Sequence, residues 1–180
     1  MVEVLIIESR NADDYYTKRS EGKILAQVLQ LGGYEAEYLE VTNLEYFEKA
    51  IEVGLTKSVR YVHFSGHGHK NCIELTDGTR INWRQLQKIL QQKLLDKYLV
   101  FSSCKVAKGV QRLFEIDSTF CRAIVAPTRN ISWGEGLVAY SAFYHRALRV
   151  VEKTDNSVVI MNSITKPETF SCFYNPIISL

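Results

Sequence analysis

Apolar residues in this chain fall into short unbroken runs separated by stretches with a helical repeat. Residues 2–8 form the first run, and residues 21–31 carry Ile24, Leu25, Val28 and Leu31 at helical spacing before Gly32-Gly33 ends the helix. Residues 34–41 alternate Tyr34, Ala36 and Tyr38 with Glu35, Glu37 and Leu39, after which Asn43 can cap a helix through Phe47, Ala50 and Ile51 to Gly54. A third strand is expected over 59–65, then a Gly-rich loop and a hairpin whose Asp77-Gly78 turn joins 72–75 to 80–82. Asn82 then caps an amphipathic helix with Leu86, Ile89, Leu90 and Leu94.

Further runs at 98–103 and 121–126 predict a fourth and fifth strand, and residues 135–150 a long helix. Between them, 105–118 reads as a loop and a weak helix. In the tail, Asp155 is expected to cap a helix through Met161, although 157–160 would equally suit a strand, with 170–174 as a last edge strand stopped by Pro176. Such alternation predicts an α/β fold: a three-layer αβα sandwich around a mostly parallel six-stranded sheet, with a small β-hairpin after the third strand.

Composition narrows the functional classes. The 180 residues suit one domain, 1–180, with 46% hydrophobic and 23% charged residues and no repeat or Pro/Gly-rich linker. A net charge of +2 with scattered basic residues gives no footprint for nucleic acid or an anionic membrane, so neither partner is expected. The start of the chain, with Glu3 and no basic flank, is too short an apolar stretch for a span or a secretory signal, so a cytoplasmic location is expected. Cys72, Cys104, Cys121 and Cys172 form no CxxC pair, which fits reduced thiols better than disulfides or a zinc ribbon.

Chemistry gathers at two strand ends. In an open parallel sheet, ligands and catalytic groups collect beyond the carboxyl ends of the strands, and His67 and Cys104 both fall there. If the third and fourth strands are neighbours, their backbones lie roughly 5 Å apart. A thiol is a strong nucleophile only as thiolate, and an adjacent imidazole is a common means of producing it.

The segments Phe64-Ser65-Gly66-His67-Gly68 and Val100-Phe101-Ser102-Ser103-Cys104 resemble those of the caspase-like peptidases, particularly the prokaryotic CHAT branch. The tail from Phe170 to Pro176 is similar to that branch's closing strand. The resemblance implies a cysteine endopeptidase without cofactor or metal, in which Cys104 attacks the scissile carbonyl and His67 moves the proton. It also implies an oxyanion hole made by the N–H groups of Gly68 and Cys104. Two before the cysteine stands Ser102 rather than the glutamine or aspartate of caspases and metacaspases, so no charge-selecting pocket is named there. After the first strand, Arg10 would suit an acidic substrate residue and Glu8 a basic one. Arg129 and Trp133 stand where relatives hold an extended substrate. The resemblance further implies a protein substrate, a role in prokaryotic stress or antiviral defence, and control by a regulatory protein partner or a homo-oligomer.

Plainer readings of the same residues stand beside these. A lone cysteine at a strand end is more often a small core residue than a nucleophile; the glycine-flanked histidine is what favours a dyad. Mid-strand His63 reads as a core histidine, His69 as a loop residue, and Cys72, Cys121 and Cys172 as structural. One alternative gathers His63, His67, His69 and Cys72 around zinc; another keeps the fold as a silent binding scaffold.

Overall fold

A computed structural model describes residues 2–56, 59–90, 94, 96–116, 121–149 and 153–177. Its elements, in chain order, are β1 Val4–Ser9, α1 Ala12–Tyr16, α2 Glu21–Leu31, β2 Ala36–Glu40, α3 Leu44–Thr56, β3 Tyr61–His69, β4 Cys72–Glu74, β5 Arg80–Asn82 and α4 Trp83–Leu90. They continue with β6 Tyr98–Ser102, α5 Ala107–Val110, α6 Leu113–Ile116, β7 Ala123–Pro127, α7 Trp133–Tyr144 with a π-helical turn His145–Arg149, α8 Thr154–Ile164 and β8 Phe170–Tyr174.

Six strands form the main sheet in the order β2-β1-β3-β6-β7-β8, parallel except for β8, which runs antiparallel to β7. The chain leaves β1 toward β2, then crosses back to place β3 on the other side of β1. The strand order therefore reverses between β1 and β3, and the loops after these two strands diverge there. Right-handed crossovers send the two connections to opposite faces. Leu25, Ala26 and Leu29 of α2 accordingly share one core with Tyr140, Phe143 and Tyr144 of α7 and Met161 of α8, while Phe47 and Ile51 of α3 share the other with Leu86 and Leu90 of α4.

Unbroken apolar runs follow from covering both faces. Val4 and Ile6 enter the α2 core and Leu5 and Ile7 the α3 core, so alternation is real but both phases are apolar. Caps match their sequence signals: Asn43 Oδ1 accepts from the Tyr46 N–H, and Asn82 exchanges a capping box with Gln85. The Asp77-Gly78 turn joins β4 to β5 with Gly78 at φ +83°.

Three expectations change. The Gly-rich segment after residue 65 is no loop: β3 runs on to His69 and turns through residues 70–71 into β4. Asp155 is not the cap of α8. Lys153 is, and Asp155 sits in the first turn, where its carboxylate accepts from the Tyr174 hydroxyl. The weak helix expected in 105–118 is two short helices, α5 and α6, with Val106, Val110 and Leu113 buried; residues 117 and 118, like 150 at the end of the long helix expected to reach it, lie outside the described residues.

Gly66 makes the extension of β3 possible. Its φ of +153° lies in territory that is essentially glycine's alone, and a Cβ there would meet the Ser9 carbonyl oxygen at 2.5 Å. Gly66→Ala is expected to destabilise the fold by about 3 kcal/mol or more, lowering the melting temperature by about 10 °C in a thermal scan. A shift within 2 °C would mean that the β1 and β3 ends are not locked together here.

Candidate active site

The register of β3 on β6 pairs Ser65 with Ser102, so His67 and Cys104 each lie two residues beyond the last paired position of adjacent strands. Both line one cleft at the carboxyl end of the sheet, together with Gly66, Ser102, Ile131, Ser132 and Trp133. The His67 imidazole, 40% exposed, meets Trp133 edge-on at 5.7 Å between ring centres.

Its other neighbour is Asp14, which sequence reasoning missed. Asp14 Oδ2 lies 2.6 Å from His67 Nε2, and the aspartate is 2% exposed. It occupies the third position of α1, in a capping box: Asn11 Oδ1 accepts from the Asp14 N–H, and Asp14 Oδ2 accepts from the Asn11 N–H. A carboxylate only accepts, so this contact sets the imidazole proton on Nε2 and the lone pair on Nδ1. Asp14 follows β1 and His67 lies in the outer end of β3, so the pair straddles the point where the strand order reverses. The signal was present as Asn11 followed three residues later by Asp14, but a five-residue helix has no apolar repeat to draw attention to it.

The backbone around Cys104 turns sharply. Lys105 has φ +58°, uncommon for a residue with a side chain, and its N–H donates to the Arg129 carbonyl at 3.1 Å. The Cys104 thiol lies 3.6 Å from the Ile131 carbonyl. On the neighbouring strand, the two-residue turn at 70–71 makes His69–Cys72 and His67–Glu74 the hydrogen-bonded pairs. Gly68 opposite Ile73 is then a non-bonded pair, with its N–H turned away from β4. Ser103 lies directly against Gly68, 3.0 Å from where a Cβ would stand.

The remaining candidates separate. Ser102 and Trp133 line the cleft. Arg10 and Arg129 do not. Arg10 binds Glu40 Oε1 through Nε at 2.9 Å and Nη2 at 2.6 Å and stacks 4.0 Å over Tyr15 of α1, bracing the helix that carries Asp14. Arg129 holds both Glu135 oxygens and donates to Thr169 Oγ1, and its guanidinium keeps the Glu135 carboxyl below the usual range. Glu8 is fully buried and faces no solvent.

The zinc arrangement is not formed. His63 is buried with Nδ1 3.0 Å from the Tyr144 hydroxyl, His67 is held by Asp14, and His69 contacts Cys72 at 3.1 Å. Among the described residues no group of three or more His, Cys, Asp or Glu is placed to hold a metal, and no helix is long and apolar enough to cross a membrane.

Burial pushes the other thiols up: Cys72 above its usual range, Cys121 well above it, and Cys172 to about 12.

No protein-family model matches the chain, and no curated protein does. Solved structures do. One is the complex of the Porphyromonas gingivalis RgpB pro- and mature domains, 17% identical with a TM-score of 0.62, covering 97% of this chain and 47% of that one. Another is the Arg-specific cysteine proteinase gingipain R, 13% identical with a TM-score of 0.59, covering 97% and 46%. This chain thus spans about half the length of the structures it matches. With a mostly parallel sheet between two helical layers, it has the fold of the caspase-like gingipains.

Proposed function

We propose that this protein is a cysteine endopeptidase in which Cys104, His67 and Asp14 act together on a polypeptide. The observation that carries the reading is the site at the strand-order reversal: one cleft lined by Cys104 and His67, with the imidazole tied to a buried carboxylate. Asp14 holds Nε2–H, and His67 Nδ1 takes the thiol proton. The thiolate adds to the scissile carbonyl, and the oxyanion forms toward the N–H groups of Gly68 and Cys104, the first being free of the β4 ladder. The imidazolium returns its proton to the leaving amine as the C–N bond breaks. Water, deprotonated by the same nitrogen, then hydrolyses the thioester and releases Cys104.

Ser102 and Trp133 are assigned to substrate contact, while Arg10 and Arg129 brace the loops that carry Asp14 and the cleft wall. Membership of the CHAT branch, action in prokaryotic stress or antiviral defence, and control by a partner protein or by self-association belong to the same proposal. They rest on the resemblance of residues 64–68 and 100–104. Ordering of the loops after β1, β6 and β7 is the step such a partner would control.

The test maps new protein amino termini in cells expressing the wild type and Cys104→Ala, with neighbouring genes present. Cuts that depend on Cys104 are expected. Identical termini in both would point instead to a binding module built on a peptidase fold.

A further inference from the structure

Basic residues that are scattered along the sequence are gathered on the surface. Helices α3, α4, α5 and α6 cover the same face of the sheet, where Phe47, Leu86, Leu90, Val106, Val110 and Leu113 enter one core. Their opposite sides therefore look into the same solvent. On α3 that side is mixed, with Glu45, Glu48 and Lys49 exposed and Lys49 paired with Glu45. From α4 to α6 it is not. Exposed Arg84 and Lys88 stand four apart on α4, and exposed Lys105, Lys108 and Arg112 repeat at helical spacing along α5 and the turns that flank it. Across 83–90 and 104–116 the sole acid is Glu115.

Two contacts draw these segments into one patch. The Trp83 indole N–H donates to the Lys70 carbonyl at 2.7 Å, which ties the turn between β3 and β4 to the start of α4. Gly109 lies so close to that junction that a Cβ would run into both the Lys70 carbonyl and the Trp83 indole nitrogen, so α5 rests directly against it. Lys70, Arg84 and Lys108, each exposed, flank this contact. Among the described residues no ion pair or side-chain hydrogen bond engages Lys70, Arg84, Lys88, Lys105, Lys108 or Arg112. Like charges four apart on a helix destabilise it slightly, and a surface ordinarily mixes the two signs, so these unanswered cations call for an anionic partner.

We propose that this face docks an acidic stretch of the polypeptide that Cys104 cuts. The inference rests on the peptidase reading above. The patch starts at the cleft: Lys105 follows Cys104, and Lys70 is the first residue beyond β3, the strand that carries His67. From Lys105 to Arg112 the largely helical chain rises roughly 10 Å, which about three extended residues of a bound polypeptide would cross. Carboxylates there would meet long, exposed cationic side chains, a match in charge that steers the substrate toward the cleft and that salt would screen. The rival polyanion is a single-stranded nucleic acid, whose binding adds exposed aromatic faces for base stacking to a basic groove. Trp83, at the centre of this patch, is 6% exposed and turned inward to Lys70.

Fluorescein-labelled deca-glutamate bound to the Cys104→Ala protein, followed by anisotropy, reads the surface without catalysis. Replacing Arg84, Lys88, Lys108 and Arg112 together by glutamine should weaken binding about tenfold, and added salt should do the same to the parent protein. All four side chains are exposed, so the melting temperature should hold; Lys108→Glu alone should weaken binding in the same direction and keeps the test open if it does not. In a peptide library from denatured cell protein, the bonds cut by the active enzyme should have Asp and Glu enriched on one side. The fourfold variant should lose that enrichment, with KM raised about tenfold on such peptides and kcat unchanged. Cleavage that depends on Cys104 but favours no acidic flank would overturn this inference and leave the peptidase reading standing. Deca-glutamate binding that is lost in the variant, without any cleavage, would keep the acidic docking face and overturn the peptidase. Neither cleavage nor binding would overturn both. Labelled decathymidylate bound as tightly as deca-glutamate would assign the face to nucleic acid and overturn the inference.

Discussion

Cys104→Ala is expected to abolish cleavage, and His67→Ala to lower kcat by about as much, on the order of a million-fold, with the double variant no worse than either alone. Thiol and imidazole act as one unit in the proposed mechanism, so removing either removes the whole step. The fold should survive, since Cys104 is only partly buried and neither residue belongs to an apolar core cluster. Iodoacetamide near neutral pH offers an independent reading. Burial holds Cys72, Cys121 and Cys172 in the protonated form, so Cys104 should be alkylated first and the Cys104→Ala protein should stay almost unlabelled. Losses in the double variant equal to the product of the single losses would show that the two residues act separately. Even labelling of all accessible cysteines would remove Cys104 as the nucleophile.

Asp14→Asn carries the second large effect, about ten-thousand-fold in kcat by comparison with other carboxylate-oriented histidines. The amide can present its NH2 to the imidazole, and this would draw the lone pair to Nε2 and put the proton on Nδ1, the nitrogen required as base. Because Asp14 also closes the capping box of α1, a stability loss of about 1 kcal/mol should accompany the change. The two contributions can be told apart. Asn11→Ala removes the cap while leaving the carboxylate on His67, so it should cost similar stability and far less rate. Equal rate losses in Asn11→Ala and Asp14→Asn would reduce Asp14 to a structural cap.

Individual residues show how much was legible beforehand. The central strand runs and the repeats of α2 and α4 were readable because both sheet faces are covered, so these strands are apolar at nearly every inner position while the helices keep a polar side. His67 and Cys104 were visible because the apolar runs end just before them. Glycines at 66 and 68 lowered the apparent strand propensity and disguised the extension of β3, which long-range pairing with β1 and the hairpin with β4 override. Arg10 and Glu8 looked like pocket residues because their place after β1 is visible in one dimension. Their partners, Glu40 on the next strand and Ser20 and Gly22 at the start of α2, are not.

Local patterning was enough to read the α/β class, the sheet's mostly parallel character and the two residues, His67 and Cys104, that line one cleft, because hydrophobic period and strand ends are local properties. Only long-range packing shows that Asp14 holds His67 and that Arg10 and Arg129 are committed to Glu40 and Glu135. Each of these depends on which loops the reversal of strand order brings together, over separations of 53 residues for Asp14 and His67, and no local pattern encodes such a meeting.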